Sequence, residues 1–115
     1  LLERFQNHPL YTEIESAERY HELPYVLAGT QNPDYQRGVI DLLYRTSAKN
    51  QWVIVDFKTD EVRSEVEARQ LIQQAGYDQQ MQRYLEAARA WLSCRPHSKL
   101  VFLRVAGEVA VFDYS

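Results

Sequence analysis

Two apolar runs, VIDLLYRT at 39–46 and QWVIVDFK at 51–58, stand four residues apart, and charged side chains interrupt both of them. Runs of this length, rich in Val, Ile, Tyr and Trp and bounded by polar residues, read as strands. The intervening Ser47, Ala48, Lys49 and Asn50 make an ordinary hairpin loop. With Thr46 facing Gln51, counting back along both strands sets Asp41 opposite Asp56. Side chains two apart on a strand share a face, so Lys58 joins Asp56. A slip of one residue would separate the pair, so the loop length carries the inference. The hairpin thus puts two carboxylates and an amine where a sheet of this composition has its core.

Two like charges opposite each other on a sheet repel, and burying them without partners is costly. A structural arrangement answers this with backbone amides on one aspartate and Lys58 on the other. A chemical arrangement answers it with a shared divalent cation. Carboxylate oxygens suit Mg²⁺, whose sites usually keep waters for substrate phosphates. Lys58 would then position or help deprotonate an attacking water and stabilise charge building on a phosphate. Geometry alone leaves both arrangements open.

The rest of the chain supplies the frame. Residues 1–20 read as helix in two pieces, broken near Pro9, because proline disfavours helix at the residue before it. Residues 17–29 turn extended, and Pro24 points to an edge strand. The stretch 30–38 carries turn chemistry in Asn32, Pro33, Asp34 and Gly38. Ser64 and Glu67 form a capping box for a helix over 64–76, with Gly76 as its stop. Residues 78–92 give a stronger helix, with Met81, Tyr84, Leu85, Ala88 and Leu92 on one stripe. The final segment, 99–115, reads as two strands around Ala106-Gly107. Helix, three strands, helices and two strands in that order predict a mixed α/β fold, a mixed sheet with helices against it, rather than plain alternation.

A chain of 115 residues is about one domain, taken here as 1–115. Its formal net charge of -3 is unlike that of a free-standing nucleic-acid binder, which gains affinity by neutralising phosphates. No apolar run approaches the length of about 18 residues that a membrane span needs, and no signal-peptide pattern opens the chain. The expectation is therefore no membrane partner. The single cysteine cannot make an internal disulfide, which favours a reducing, intracellular compartment. Cys94 reads as a small buried residue rather than a nucleophile. His8 and His21 read as surface residues rather than ligands, and Tyr44 and Trp52 as core aromatics. No Gly-x-x-x-x-Gly-Lys-Ser/Thr phosphate loop is present. The opening LLERF has helical spacing and no Met, which points to a piece of a longer protein.

Four elements occur in order over roughly residues 18–92. They are ELPY from Glu22 to Tyr25, Gly38-x-x-Asp41, Asp56-Phe57-Lys58-Thr59, and Gln80-x-x-x-Tyr84. Together they resemble the core of the PD-(D/E)XK nuclease superfamily, and more narrowly the RecB/AddA-like nuclease domain found at the end of helicase-nuclease subunits. The resemblance implies a restriction-endonuclease-like core, a central mixed sheet of about five strands flanked by helices. It implies a Mg²⁺-dependent, or Mn²⁺-dependent, DNA exonuclease serving repair and recombination. Asp41, Asp56 and the Phe57 backbone carbonyl would hold the metal, and Lys58 would act on water and phosphate. Gln80 and Tyr84, side by side at i and i+4, would support the site, with Glu22 near the metal face. The implied partners are DNA and a helicase domain, in the same longer chain or in a partner subunit, in a nucleoid-associated setting. One element of the family is unmatched: a His on an upstream helix, in a Gly-x-x-x-His-like pattern, which His8 does not satisfy. The expectation is a fragment lacking the N-terminal helical part, with little activity alone. The alternative is a catalytically inactive nuclease-like module that binds DNA or a partner subunit.

Overall fold

The structure is a computed structural model that describes residues 2–28, 35–46 and 48–114. Two short helices, α1 (Leu2–Gln6) and α2 (Pro9–Glu15), lead into three long strands, β1 (Glu18–Ala28), β2 (Tyr35–Arg45) and β3 (Trp52–Val62). Helices α3 (Glu65–Gln74) and α4 (Tyr77–Leu92) follow, then β4 (His97–Val105) and β5 (Glu108–Asp113). The five strands form one sheet in the order β1-β2-β3-β4-β5. The β3–β4 pair is parallel and the other three pairs are antiparallel. A parallel pair needs a crossover connection, and α3 with α4 supplies it. This is the mixed α/β architecture that the order of elements predicts. Of the turn expected over 30–38, residues 35–38 belong to β2 instead, and residues 30–34, like Ser47 of the hairpin loop, lie outside the described residues.

Local chemistry sets the element ends. Pro9 occupies the first turn of α2, where its missing N–H costs nothing, and His8 caps the helix by accepting from the Leu10 N–H at 3.1 Å. The expected helix over 1–20 runs too far. The Ser16 hydroxyl folds back on the Thr12 and Glu13 carbonyls at 3.2 Å, and the Arg19 guanidinium donates to the Glu15 carbonyl at 2.8 Å. With its last carbonyls taken, α2 ends, and residues from Glu18 onward pair with β2 instead. Ser64 caps α3 through the Glu67 N–H at 3.2 Å. Glu67 answers to the Arg63 N–H at 3.4 Å, one residue outside the position a strict capping box uses. Ala106 and Gly107 both have positive φ, 49° and 82°, as a two-residue type I′ hairpin turn requires. Cys94 is exposed rather than buried: left-handed Ser93 ends α4, and the chain has left the apolar stripe before Cys94 is reached.

Both sheet faces are covered. Phe5, Leu10 and Ile14 of α1 and α2 pack on Leu42, Tyr44, Val53, Val55, Val101 and Leu103. On the other face Met81, Tyr84, Leu85 and Ala88 of α4, with Ala68 of α3, pack on Ile54, Leu100 and Phe102. Leu42 and Ile40 have the same parity on β2 yet belong to opposite layers. The alternation slips one step between them, at Asp41. On β1 the matching step falls at Glu22, whose φ is +51°. Pairing of β1 with β2 runs from Glu18↔Arg45 to His21↔Leu42, skips one position, and resumes at Leu23↔Ile40. Both strands therefore kink together at Glu22 and Asp41.

Candidate active site

The β2–β3 ladder ends at Leu42↔Val55, one step before Asp41 would meet Asp56. The strands part there, and the Asp41 side chain fills the mouth of the fork by accepting from the Phe57 N–H at 2.9 Å. In an extended strand the N–H and C=O of one residue point to the same edge. The Phe57 carbonyl therefore faces the fork as well, while its ring turns to the other layer and meets Phe5 edge-on at 5.2 Å.

Asp56 and Lys58 are among the few buried charged residues, at 3% and 9% exposure. The Lys58 ammonium lies 2.6 Å from Asp56 Oδ2 and donates to Gln80 Oε1 at 2.6 Å. Buried Oδ2 of Asp56 is thus ion-paired with an ammonium that it shares with Gln80. Burial pushes the Asp56 carboxyl up from 3.8 to about 6, and the neighbouring Asp41 carboxyl adds to the rise, while Lys58 pulls it back. Of the arrangements open at the sequence level, the structure displays the contacts of the structural one: a backbone amide on Asp41, an amine on Asp56. It also leaves the strain that arrangement was meant to remove. Two carboxylates still confront each other in a low-dielectric interior, which is costly, and Lys58 offsets the charge of Asp56 only.

Gln80 and Tyr84 have different surroundings. Gln80 touches the charged cluster. Tyr84 is 4% exposed, and its ring meets Tyr25 edge-on at 5.6 Å. Burial and the nearby Asp56 and Asp41 charges push its phenol well above the ordinary range, so it stays protonated. Tyr25 in turn lies across Gly38, its cross-strand partner. A Cβ at Gly38 would stand 2.4 Å from the Tyr25 hydroxyl oxygen. Gly38, Tyr25 and Tyr84, from three of the four sequence elements, thus form one packing column beside Asp41.

Glu22 sits at the kink, at the skipped pairing position next to Asp41, and is exposed. Among the described residues, no three His, Cys, Asp or Glu side chains gather closely enough to hold a metal, so Glu22 does not complete a three-carboxylate set with the aspartates. His8 is occupied as a helix cap on the opposite layer, and His21 is exposed on β1. Tyr44 is fully buried, its hydroxyl donating to Glu13 at 2.6 Å. Trp52 is half-buried, stacked on Tyr20 under the Arg45 guanidinium.

Two residues at the site escape a reading of the sequence. The Lys58 ammonium lies 3.8 Å from the centre of the Tyr77 ring, and the Tyr77 hydroxyl donates to Asp60 at 2.6 Å. Burial and Asp60 push the Tyr77 phenol up to about 12. The signals were present: Tyr77 is three residues before Gln80 on one helix face, and Asp60 is two residues after Lys58 on one strand face.

A family model of the PD-(D/E)XK nuclease superfamily matches residues 3–112. The chain belongs to this superfamily. Among curated proteins, no relative matches. The five-stranded mixed sheet flanked by helices is the restriction-endonuclease-like fold of PD-(D/E)XK proteins. The superfamily generally works with a divalent metal. Two facing carboxylates and a backbone carbonyl at the same fork form an all-oxygen donor set, which suits a hard divalent cation. This donor set and a metal of that class fit each other.

Proposed function

We propose that this chain is the nuclease module of a RecB/AddA-like helicase-nuclease, hydrolysing DNA phosphodiesters from an end with Mg²⁺ or Mn²⁺. The observation that supports it most is the placement of Lys58. A buried ammonium is held between Asp56 and Gln80 beside a fork where Asp41 and the Phe57 carbonyl offer further oxygens. Asp41, Asp56 and the Phe57 carbonyl hold the cation, which supplies charge to the phosphate and eases deprotonation of water. Lys58 stabilises the charge that builds on the phosphate oxygens as water oxygen bonds to phosphorus and the bridging P–O bond breaks. Gln80 fixes the ammonium in place, and Tyr84 holds the packing column behind Asp41. Glu22, exposed and across from Asp41, supports the site from near the metal face.

The parent assembly, in this proposal, is intracellular and nucleoid-associated and works in repair and recombination. The net charge of -3 fits a module whose grip on DNA comes from a helicase domain or partner subunit. A second reading, a nuclease-like module that binds DNA or a partner without cutting, draws on the absence of any three-ligand cluster among the described residues.

The test is cleavage of end-labelled single- and double-stranded DNA with Mg²⁺ or Mn²⁺, by this chain and by the parent protein that contains it. Cleavage that needs the cation and disappears in Asp56→Asn supports the proposal. Cation-independent cleavage, or cleavage that survives Asp56→Asn, rules it out. A parent protein that binds DNA and does not cut it selects the second reading.

A further inference from the structure

Lys58 carries its charge on a flexible four-carbon stem, yet its ammonium is caught on three sides. Asp56 and Gln80 each stand 2.6 Å away, and the Tyr77 ring forms the third side, 3.8 Å from its centroid. The ring is itself clamped. Its hydroxyl is tied to Asp60 Oδ1 at 2.6 Å, and the Phe102 ring stands tilted beside it with centroids 6.4 Å apart. Backbone geometry brings these parts together. Left-handed Gly76, φ +78°, ends one helix and opens the next, so that Tyr77 is the first residue of α4. A shift of register between β3 and β4 falls between Lys58 and Glu61, and Asp60 lies in that interval.

We propose that Tyr77 is a positioning residue for Lys58, and that Asp60 acts through Tyr77. This rests on the proposed nuclease reading and adds a part to it. A cation over an aromatic face is attracted by the ring quadrupole, more strongly when desolvated, and Lys58 is buried. A carboxylate that accepts a hydrogen bond from the phenol pushes electron density into the ring, so Asp60 strengthens the face that Lys58 meets. Asp56 and Gln80 fix the ammonium in one plane. The ring closes the remaining side and keeps water from it. Together they aim the amine at the fork instead of letting it swing into solvent. The Tyr77 ring meets the Lys58 ammonium directly and its hydroxyl is bound to Asp60, while the Asp56 charge also reaches its phenol; the direct contact with the site is the one with Lys58.

The alternative is that Tyr77 only fills space against Phe102. Three variants separate the two: Tyr77→Leu removes the aromatic face, Tyr77→Phe keeps it and loses the Asp60 bond, and Asp60→Asn keeps the ring and weakens its charge. The first readout needs no activity. In NMR spectra of the purified chain, the Lys58 Hε protons are expected upfield of those of exposed lysines, because they lie over a ring. Tyr77→Phe should keep that displacement and Tyr77→Leu should abolish it. The second readout is turnover in the parent protein. Tyr77→Leu should lower kcat by about tenfold, the size a desolvated cation–π contact allows, with KM for DNA little changed. Tyr77→Phe should recover most of that loss, and Asp60→Asn should lose about threefold. In a Lys58→Ala background none of the three should lower turnover further. Undisplaced Hε protons in the wild type, or equal losses in Tyr77→Phe and Tyr77→Leu, would overturn the proposal. If Tyr77→Leu does not fold, the Asp60→Asn loss and its disappearance in the Lys58→Ala background decide the matter. A parent that does not cleave DNA removes the nuclease reading and leaves the Hε shifts to decide the positioning.

Discussion

Lys58 and Gln80 stand 22 residues apart in the chain, and the ammonium of one donates to the amide oxygen of the other at 2.6 Å. That bond joins the Asp-x-Lys strand to the Gln-x-x-x-Tyr helix across the sheet surface. It also fixes the orientation of the Gln80 amide, since only its oxygen can accept from an ammonium. The strand and helix elements are therefore two sides of one charged cluster.

Removing Lys58 tests what that cluster is for. Lys58→Ala should lower turnover of the parent protein by at least about a hundredfold, because Lys58 serves charge that develops in the transition state. Divalent-cation binding should persist, since Asp41 and Asp56 remain. Without metal the variant leaves Asp56 buried beside Asp41 with no cation, a loss of roughly 1–3 kcal/mol. Urea denaturation with and without Mg²⁺ checks this. Near wild-type cleavage would contradict the assigned role, and a variant that fails to fold even with metal would favour a purely structural triad.

Asp56 gives the metal-free protein a pH dependence with a definite sign. Its folded pKa is raised from 3.8 to about 6 by burial and by Asp41. The fold therefore favours the protonated carboxyl. The stabilising contribution is complete below about 3.8 and is lost as pH rises through about 6. On going from pH 7 to pH 4, wild type should gain at most roughly 3 kcal/mol relative to Asp56→Asn. Millimolar Mg²⁺ should remove the difference by stabilising the ionised form at neutral pH. Parallel unfolding curves for the two proteins at all pH values would contradict the burial of a strained carboxylate.

Gly38 is expected to matter for space. A Cβ there would press on the Tyr25 ring at 2.4 Å, so Gly38→Ala should cost about 1–3 kcal/mol of stability. Combining it with Tyr25→Leu should cost less than the sum of the two. Denaturation midpoints of the single and double variants give the answer, and strict additivity would show that the two do not interact.

Tyr84 should behave as a packing residue. Tyr84→Phe is expected to stay within about threefold of wild-type turnover, since the edge-on contact with Tyr25 needs only the ring. Tyr84→Ala should cost about 3–5 kcal/mol. A large loss of kcat in Tyr84→Phe with unchanged stability would assign the phenol a direct part in the chemistry.

The sequence made the hairpin register legible because a four-residue loop and a period of two leave little freedom, and Leu42↔Val55 follows that count. It did not reveal that the ladder stops one pair short of Asp41. Nor did it reveal the left-handed Glu22 that lets both strands kink there. Those depend on side chains competing with backbone partners, as Asp41 does for the Phe57 N–H. The helical pattern of 1–20 ran through Ser16 because apolar spacing does not register a hydroxyl that folds back on two carbonyls. Asp56, Lys58 and Gln80 were legible from short motifs, whereas Tyr77 and Asp60 became visible only once α4 was laid over β3.

A nuclease site at the fork requires a divalent ion to bind at Asp41 and Asp56. Titrating the ¹⁵N-labelled chain with Mn²⁺ reads this from paramagnetic broadening of its amide signals. The account predicts broadening centred on Asp41, Asp56 and Phe57, competed by Mg²⁺ and lost in Asp56→Asn. Broadening centred elsewhere, or unchanged in Asp56→Asn, would contradict it.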